Sequence, residues 1–173
     1  MHIHLCTVID CTADEVWSSV EDISTHTEWM ADADSITFVT DQRQGVGTEF
    51  ECLTRVGPLV TTDVMTITEW EPSRRMGIEH RGVVTGRGHF KLEDDGRGRT
   101  IFCWDEDLHF PWWMGGAAGE RAGRPVLERI WRANLTRLKA KAEREAAAAR
   151  LDARAASEAA GGDEADAEVR ATA

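Results

Sequence analysis

The chain has no tyrosine, although its 173 residues include seven tryptophans and five phenylalanines. Tryptophan brings a large apolar surface and one N–H donor, so these aromatics suit packing and stacking, and no phenol is on hand for proton transfer. Basic charge is also scarce: 20 Lys and Arg stand against 31 Asp and Glu, a formal net charge of −11. Nucleic acid and anionic membrane both select a positive face that releases counterions, so neither is an expected partner. No run approaches the ~18 apolar residues of a membrane span, and the opening Met1–Asp10 is too short and polar for a secretion signal. The four cysteines, at 6, 11, 52 and 103, form no C-x-x-C pair and no zinc-spaced cluster with histidine. They read as free thiols of a soluble, cytoplasmic protein, with Cys6, Cys52 and Cys103 acting as small hydrophobes in strands. A G-x-S-x-G elbow, a Walker loop and a dinucleotide fingerprint are all missing, since Gly86-Arg-Gly88 is too short and lies in a strand pattern.

What is present is an ordered succession of elements. His2–Asp10 carries Ile3, Leu5 and Ile9 on one side of a strand. Thr12, with Glu15 three residues on, makes a capping box for a helix near Ala13–Glu21, whose Val16, Trp17 and Val20 share a face. Asp22 caps a second short helix over Ile23–Trp29. Strand patterns then follow one another without an intervening helix, at Ser35–Thr40, Thr48–Val56, Leu59–Glu71, Arg75–Arg81, Val84–Glu93 and Arg99–Phe110. Turn signals such as Gly57-Pro58 and Pro72 separate them, the mark of an antiparallel meander. Beyond Pro111 the period changes: Val126, Leu127, Ile130, Trp131, Leu135 and Leu138 recur at helical spacing. Pro125 should kink or restart this helix, and its last turns, to about Arg154, should project into solvent. Residues 1–145 form the expected α+β domain, with 146–173 an Ala-rich helical extension and a disordered acidic tail from Ala155.

The opening IDCTADEVWSSVED…W, with Ile9, Thr12, Asp14, Val16, Trp17, Asp22 and Trp29 in place, resembles the SRPBCC superfamily, also called START-like or polyketide cyclase/dehydrase-like. Gly45-Val-Gly47-Thr48, the Glu-Trp-Glu-Pro run at 69–72, Gly98-Arg-Thr100 before Trp104, and the closing Ile130-Trp131…Asn134-Leu135 extend the resemblance over about residues 3–142. Cys11 stands where alanine is common. The resemblance implies a helix-grip fold, a seven-stranded antiparallel sheet curved around a long C-terminal helix, with two short helices after the first strand. It also implies a cavity for a lipid, polyketide, sterol or quinone, or cyclase and dehydratase chemistry in some members.

Alternation along the strands assigns the cavity-facing side chains. Phe102, Trp104 and Leu108 share a face with Glu106; Phe90 shares one with Gly86 and Gly88; Ile78 shares one with His80; Met65 shares one with Asp63 and Thr61. Glu106 and His80 are the candidate acid–base residues, since a carboxylate in apolar surroundings holds its proton more tightly. Phe50, Met65, Ile78, Phe90, Phe102 and Trp104 are expected to meet a ligand from the sheet, and Ile130, Trp131 and Asn134 from the helix. Trp113 or Met114, in the aromatic and glycine-rich Phe110–Gly116 junction, is expected to touch a ligand at the lip. His2 and His4 have the spacing of a strand-borne metal pair but no third ligand nearby, so no metal or other cofactor is expected; His26, His89 and His109 read as surface or packing residues. Binding of a small hydrophobic or aromatic molecule is the leading functional expectation. A polyketide cyclase or dehydratase comes next, then a protein-interaction module docking through Pro111–Met114.

Overall fold

The computed structural model describes the backbone of residues 1–171 and the side chains of residues 1–158. Seven strands, β1 (His2–Ile9), β2 (Ala33–Phe38), β3 (Glu49–Val56), β4 (Leu59–Glu71), β5 (Arg75–Arg81), β6 (Thr85–Asp94) and β7 (Thr100–His109), form one antiparallel sheet. Its order is β1-β7-β6-β5-β4-β3-β2, so the first two strands occupy opposite edges. The connection between them carries helix α1 (Ala13–Ser18) and a 3₁₀ helix (Ile23–Glu28) across one end. A second 3₁₀ turn, Trp112–Met114, leads into the long helix α2 (Gly116–Ala171). This is the α+β helix-grip arrangement. The expected tail over residues 155–173 falls largely on residues whose side chains lie outside those described.

Local chemistry sets the element ends. Thr12 caps α1 through the reciprocal box with Glu15, a device that contributes about 1 kcal/mol. Asp22 accepts the Ser24 amide at the start of the 3₁₀ helix. Gly115, at φ +89°, makes the left-handed step that a side chain would oppose, releasing the chain from the Trp112 turn into α2. Pro125 sits inside a continuous α2 rather than restarting it; it leaves the Arg121 carbonyl without its usual helical donor, near the start of the helix.

The core lies between the concave face of the sheet and α2. From the helix, Trp131, Leu135, Leu138, Ala142 and Ala146 are buried at three- and four-residue spacing. They meet Ile3, Leu5 and Ile9 of β1 and Phe102 and Trp104 of β7 in one cluster. Each fully buried large apolar side chain contributes roughly 1.5–3 kcal/mol, enough to hold α2 in the grip of the sheet. Beyond Ala146 the described helix surface is solvent-facing, Leu151 included.

The thiol reading needs correction at two positions. Cys6 and Cys103 are disulfide-bonded, whereas Cys11 and Cys52 are free and buried. The cause is register: β1 and β7 pair so that Cys6 faces Cys103 directly across the ladder, with Cα atoms 4.1 Å apart. Both side chains point to the outer face, since the alternate residues Leu5, Phe102 and Trp104 are buried beneath. Cross-strand register joins residues 97 apart in sequence, and cysteine spacing along a chain carries no trace of it. The free-thiol argument for a reducing compartment therefore lapses.

Candidate functional site

Where the sheet curves away from α2, the two do not close completely. A cavity of about 360 Å³ remains, within the range of small-molecule sites. Alternate residues of the central strands form its floor: Phe50 of β3, Met65 and Ile67 of β4, Met76 and Ile78 of β5, Phe90 of β6. Leu127 and Trp131 of α2 form the roof, and Met30, Asp32 and Ala33 close one side. Leu59 and Val126, both substantially exposed, lie at the rim. Across the space, the indoles of Trp104 and Trp131 stack with centroids 4.9 Å apart and planes 17° apart. That contact joins sheet to helix, and both rings line the hollow.

Two ionisable side chains meet in this apolar setting. His80 Nε2 lies 3.4 Å from Glu106 Oε2, an ionic contact rather than an aligned hydrogen bond. The other carboxylate oxygen accepts the Trp104 indole N–H at 3.0 Å. Burial alone would lower the imidazole's proton affinity, but the adjacent Glu106 carboxylate, with Asp63 further off, outweighs it and sets His80 above its ordinary pKa. When protonated, the imidazole beside this carboxylate holds a proton that an occupant of the cavity can share.

Gly88 makes room for this pair. It faces Glu106 across the β6–β7 ladder, and a Cβ there would come within 2.3 Å of both carboxylate oxygens. Gly88→Ala is therefore expected to swing the Glu106 carboxylate away from His80. The His80 pKa, followed by NMR titration of its ring protons, should fall; an unchanged value would show that the pairing does not depend on this close approach.

Asp63, also inward-facing, has a structural task. Its carboxylate accepts the Val83 amide at 2.6 Å and the Thr61 hydroxyl at 3.2 Å, fixing the turn between β5 and β6. His26 is buried against Trp29, with ring centroids 5.2 Å apart, and its Nε2 donates to the Val20 carbonyl at 2.7 Å. Its pKa is lowered to about 4 because burial disfavours the charged ring, so it is neutral near neutral pH.

The structure brings most of the sequence-predicted residues together. Glu106, His80, Phe50, Met65, Ile78, Phe90, Trp104 and Trp131 all line the cavity. Four others do not. Phe102 is sealed behind Phe90, ring centroids 5.2 Å apart. Ile130 packs against the core beside the cavity without lining it. Trp113 is 57% exposed, and its neighbour Met114 reaches the cavity instead. Asn134 is fully buried and already satisfied: its Nδ2 donates to Asp32 at 2.6 Å, and its Oδ1 accepts from Ala31 N and Arg137. Sequence reasoning missed Ile23, His26 and Met30, which line one end. Their spacing of three and four residues was the available signal.

The sequence model of the family described as "Polyketide cyclase / dehydrase and lipid transport" matches residues 2–143. No curated protein matches the chain in sequence. Among solved structures, the Zhui aromatase/cyclase of Streptomyces sp. R1128 is similar, at 17% identity and TM-score 0.69, over 84% of this chain and 95% of that one. A protein of Thermus thermophilus, TTHA0849, is similar at 13% identity and TM-score 0.69, over 82% and 97% of the two chains. The di-domain ARO/CYC StfQ of the steffimycin biosynthetic pathway aligns at 14% identity and TM-score 0.69, over 84% of this chain and 51% of that one. At such identities these likenesses speak for the fold.

Proposed function

The chain belongs to the polyketide cyclase/dehydrase and lipid transport family, and from that premise we propose that it binds one largely apolar, flat small molecule in the cavity between sheet and α2. The observation that carries this reading is a 360 Å³ largely apolar hollow with the His80–Glu106 pair in its wall. The stacked Trp104 and Trp131 offer an aromatic face. The paired imidazole and carboxylate offer one donor and one acceptor to a carbonyl or hydroxyl on the guest. Such a combination favours a hydroxylated aromatic over a plain alkyl chain, because an alkyl neighbour leaves the unpartnered His80 Nε2 and Glu106 Oε2 without a hydrogen bond in a dry setting.

With no tyrosine in the chain, the tryptophans supply its intrinsic emission. Titration with a hydroxylated anthraquinone should quench it saturably at one molecule per chain, and a saturated long-chain fatty acid should bind at least about tenfold more weakly. Met65→Trp, which fills the floor, should abolish binding of both. Absence of saturable binding, or binding undisturbed by Met65→Trp, would sink the proposal.

A second reading follows from the same pair, as the cyclase or dehydratase expectation requires. In a dehydration, the base takes a proton from a carbon next to a carbonyl, a C–C double bond forms, and the departing hydroxyl leaves as water with a proton from the acid. His80 and Glu106 stand where one would act as each. Glu106→Gln separates the two readings: it should leave aromatic binding within a fewfold while abolishing any turnover of a β-hydroxyketone probe.

A further inference from the structure

The outer face of the sheet carries a second cluster, on the far side from the cavity. His4 of β1 projects from the same face as Cys6, and Cys103 lies opposite Cys6 on β7. The nearest ligand-type atoms of His4, Cys6 and Cys103 all lie within 4.8 Å of one another. Nε2 of His4 is 3.2 Å from the Cys6 sulfur. Its other nitrogen, Nδ1, is held by Asp105 at 2.6 Å. That carboxylate also faces His2 at 3.9 Å and His89 at 3.5 Å.

This is the arrangement a thiophilic metal ion uses. A histidine ligand commonly anchors one ring nitrogen on a carboxylate, which fixes the tautomer and aims the other nitrogen at the metal. Asp105 does this for His4 and directs Nε2 at the two sulfurs. Around a tetrahedral zinc ion, ligand atoms stand roughly 3.5–3.8 Å apart; His4 Nε2 is 3.2 Å from the Cys6 sulfur, and the two sulfurs can part to such a spacing once the bond between them is opened. The sulfurs are bonded to each other as the chain stands, and a disulfide is a poor ligand. A dithiol can open it: the S–S bond breaks, each cysteine gains one electron and one proton, and the dithiol leaves as its own disulfide. The two new thiols and the neutral imidazole can then take up a divalent ion and release two protons. The cluster is solvent-facing, so reductant and metal both have access and water can complete the coordination.

We propose that His4, Cys6 and Cys103 form a redox-gated site for a zinc-like divalent cation, closed to metal as the disulfide and opened by thiol reduction, with Asp105 as the positioning residue for His4. Sequence spacing could not reveal it, because the third ligand comes from across the sheet. The proposal does not rest on what fills the cavity.

Cobalt(II) alone, added to the full chain, is the probe. Before reduction, thiol titration should count two free cysteines of the four, and no thiolate-to-cobalt charge-transfer absorption should develop. After treatment with a phosphine reductant and its removal under argon, one equivalent of cobalt should give that absorption, with the strong visible bands of tetrahedral coordination. Asp105→Asn should weaken the ion by about tenfold or more. His4→Ala should remove the tetrahedral signature, and Cys6→Ser or Cys103→Ser should remove the charge-transfer band. His2→Ala, and Cys11→Ser with Cys52→Ser, should leave both unchanged. Circular dichroism checks that each variant is folded; His4 and Asp105 lie on the outer face, so their substitution spares the core. Four free thiols at the outset, no charge-transfer band after reduction, or a band that survives His4→Ala or Cys103→Ser would overturn the proposal.

Discussion

Lowering the pH from 6.5 to 4 is expected to cost the native protein roughly 3 kcal/mol through His26 alone. The ring is buried, donates to the Val20 carbonyl, and has its pKa lowered from 6.5 to about 4. At ~1.4 kcal/mol for each tenfold change in proton affinity, that gap sets the size of the effect. The sign follows from which state binds the proton. Below 6.5 the unfolded chain takes up a proton that the folded ring refuses, so unfolding becomes easier until the folded ring also protonates near pH 4. His80 acts the other way: its folded pKa is raised, so its contribution is full below 6.5 and lost as pH rises through the folded value. Urea unfolding at a series of pH values would measure both. His26→Gln, which keeps a donor for Val20 without titrating, should flatten the acid limb. If the wild type and this variant lose stability in parallel between pH 6.5 and 4, the burial argument for His26 fails.

The second large effect is expected at Asn134. This side chain joins α2 to the Ala31–Asp32 corner through the Ala31 amide at 3.1 Å and the Asp32 carboxylate at 2.6 Å. Trp131 adds its indole N–H to the same carboxylate at 3.3 Å, and Arg137 donates to the asparagine oxygen at 3.0 Å. Asn134→Ala leaves an amide and a carboxylate short of partners and opens a small void, which together should cost about 2–4 kcal/mol. Asn134→Leu fills the volume and isolates the hydrogen-bonding part. Because Asp32 and Ala33 also wall the cavity, the same change should weaken an aromatic guest. Hydrogen exchange at the Ala31 amide is the local readout: protection equal to wild type in Asn134→Ala would show that the side chain does not hold this corner.

Much of the fold was legible because its punctuation is local. β4 begins and ends where Gly57-Pro58 and Pro72 demand, and the Thr12 and Asp22 caps depend on residues two or three positions away. Period-two alternation likewise placed Met65, Ile78, His80, Phe90, Trp104 and Glu106 on the inner face, since a strand's geometry leaves each side chain only two directions. Several of the misses are matters of partnership across distance. Alternation put Phe102 inward, but only packing decides that Phe90 lies over it. Asn134 interrupts an apolar helix face, yet the partner that explains it is 102 residues away at Asp32. Cys6 and Cys103 illustrate the same limit, as does His26, whose burial depends on a 3₁₀ helix folding against the sheet.

The Trp104–Trp131 stack has one further consequence. Those two rings both wall the hollow and fasten the terminal helix to β7, so occupancy and helix closure are thermodynamically linked. A guest that touches both rings in the closed form, and has no such seat in the open one, tightens the clasp by mass action. The gain is about 2.7 kcal/mol at a hundred times its dissociation constant. Resilience to unfolding would then report how well the chamber is supplied.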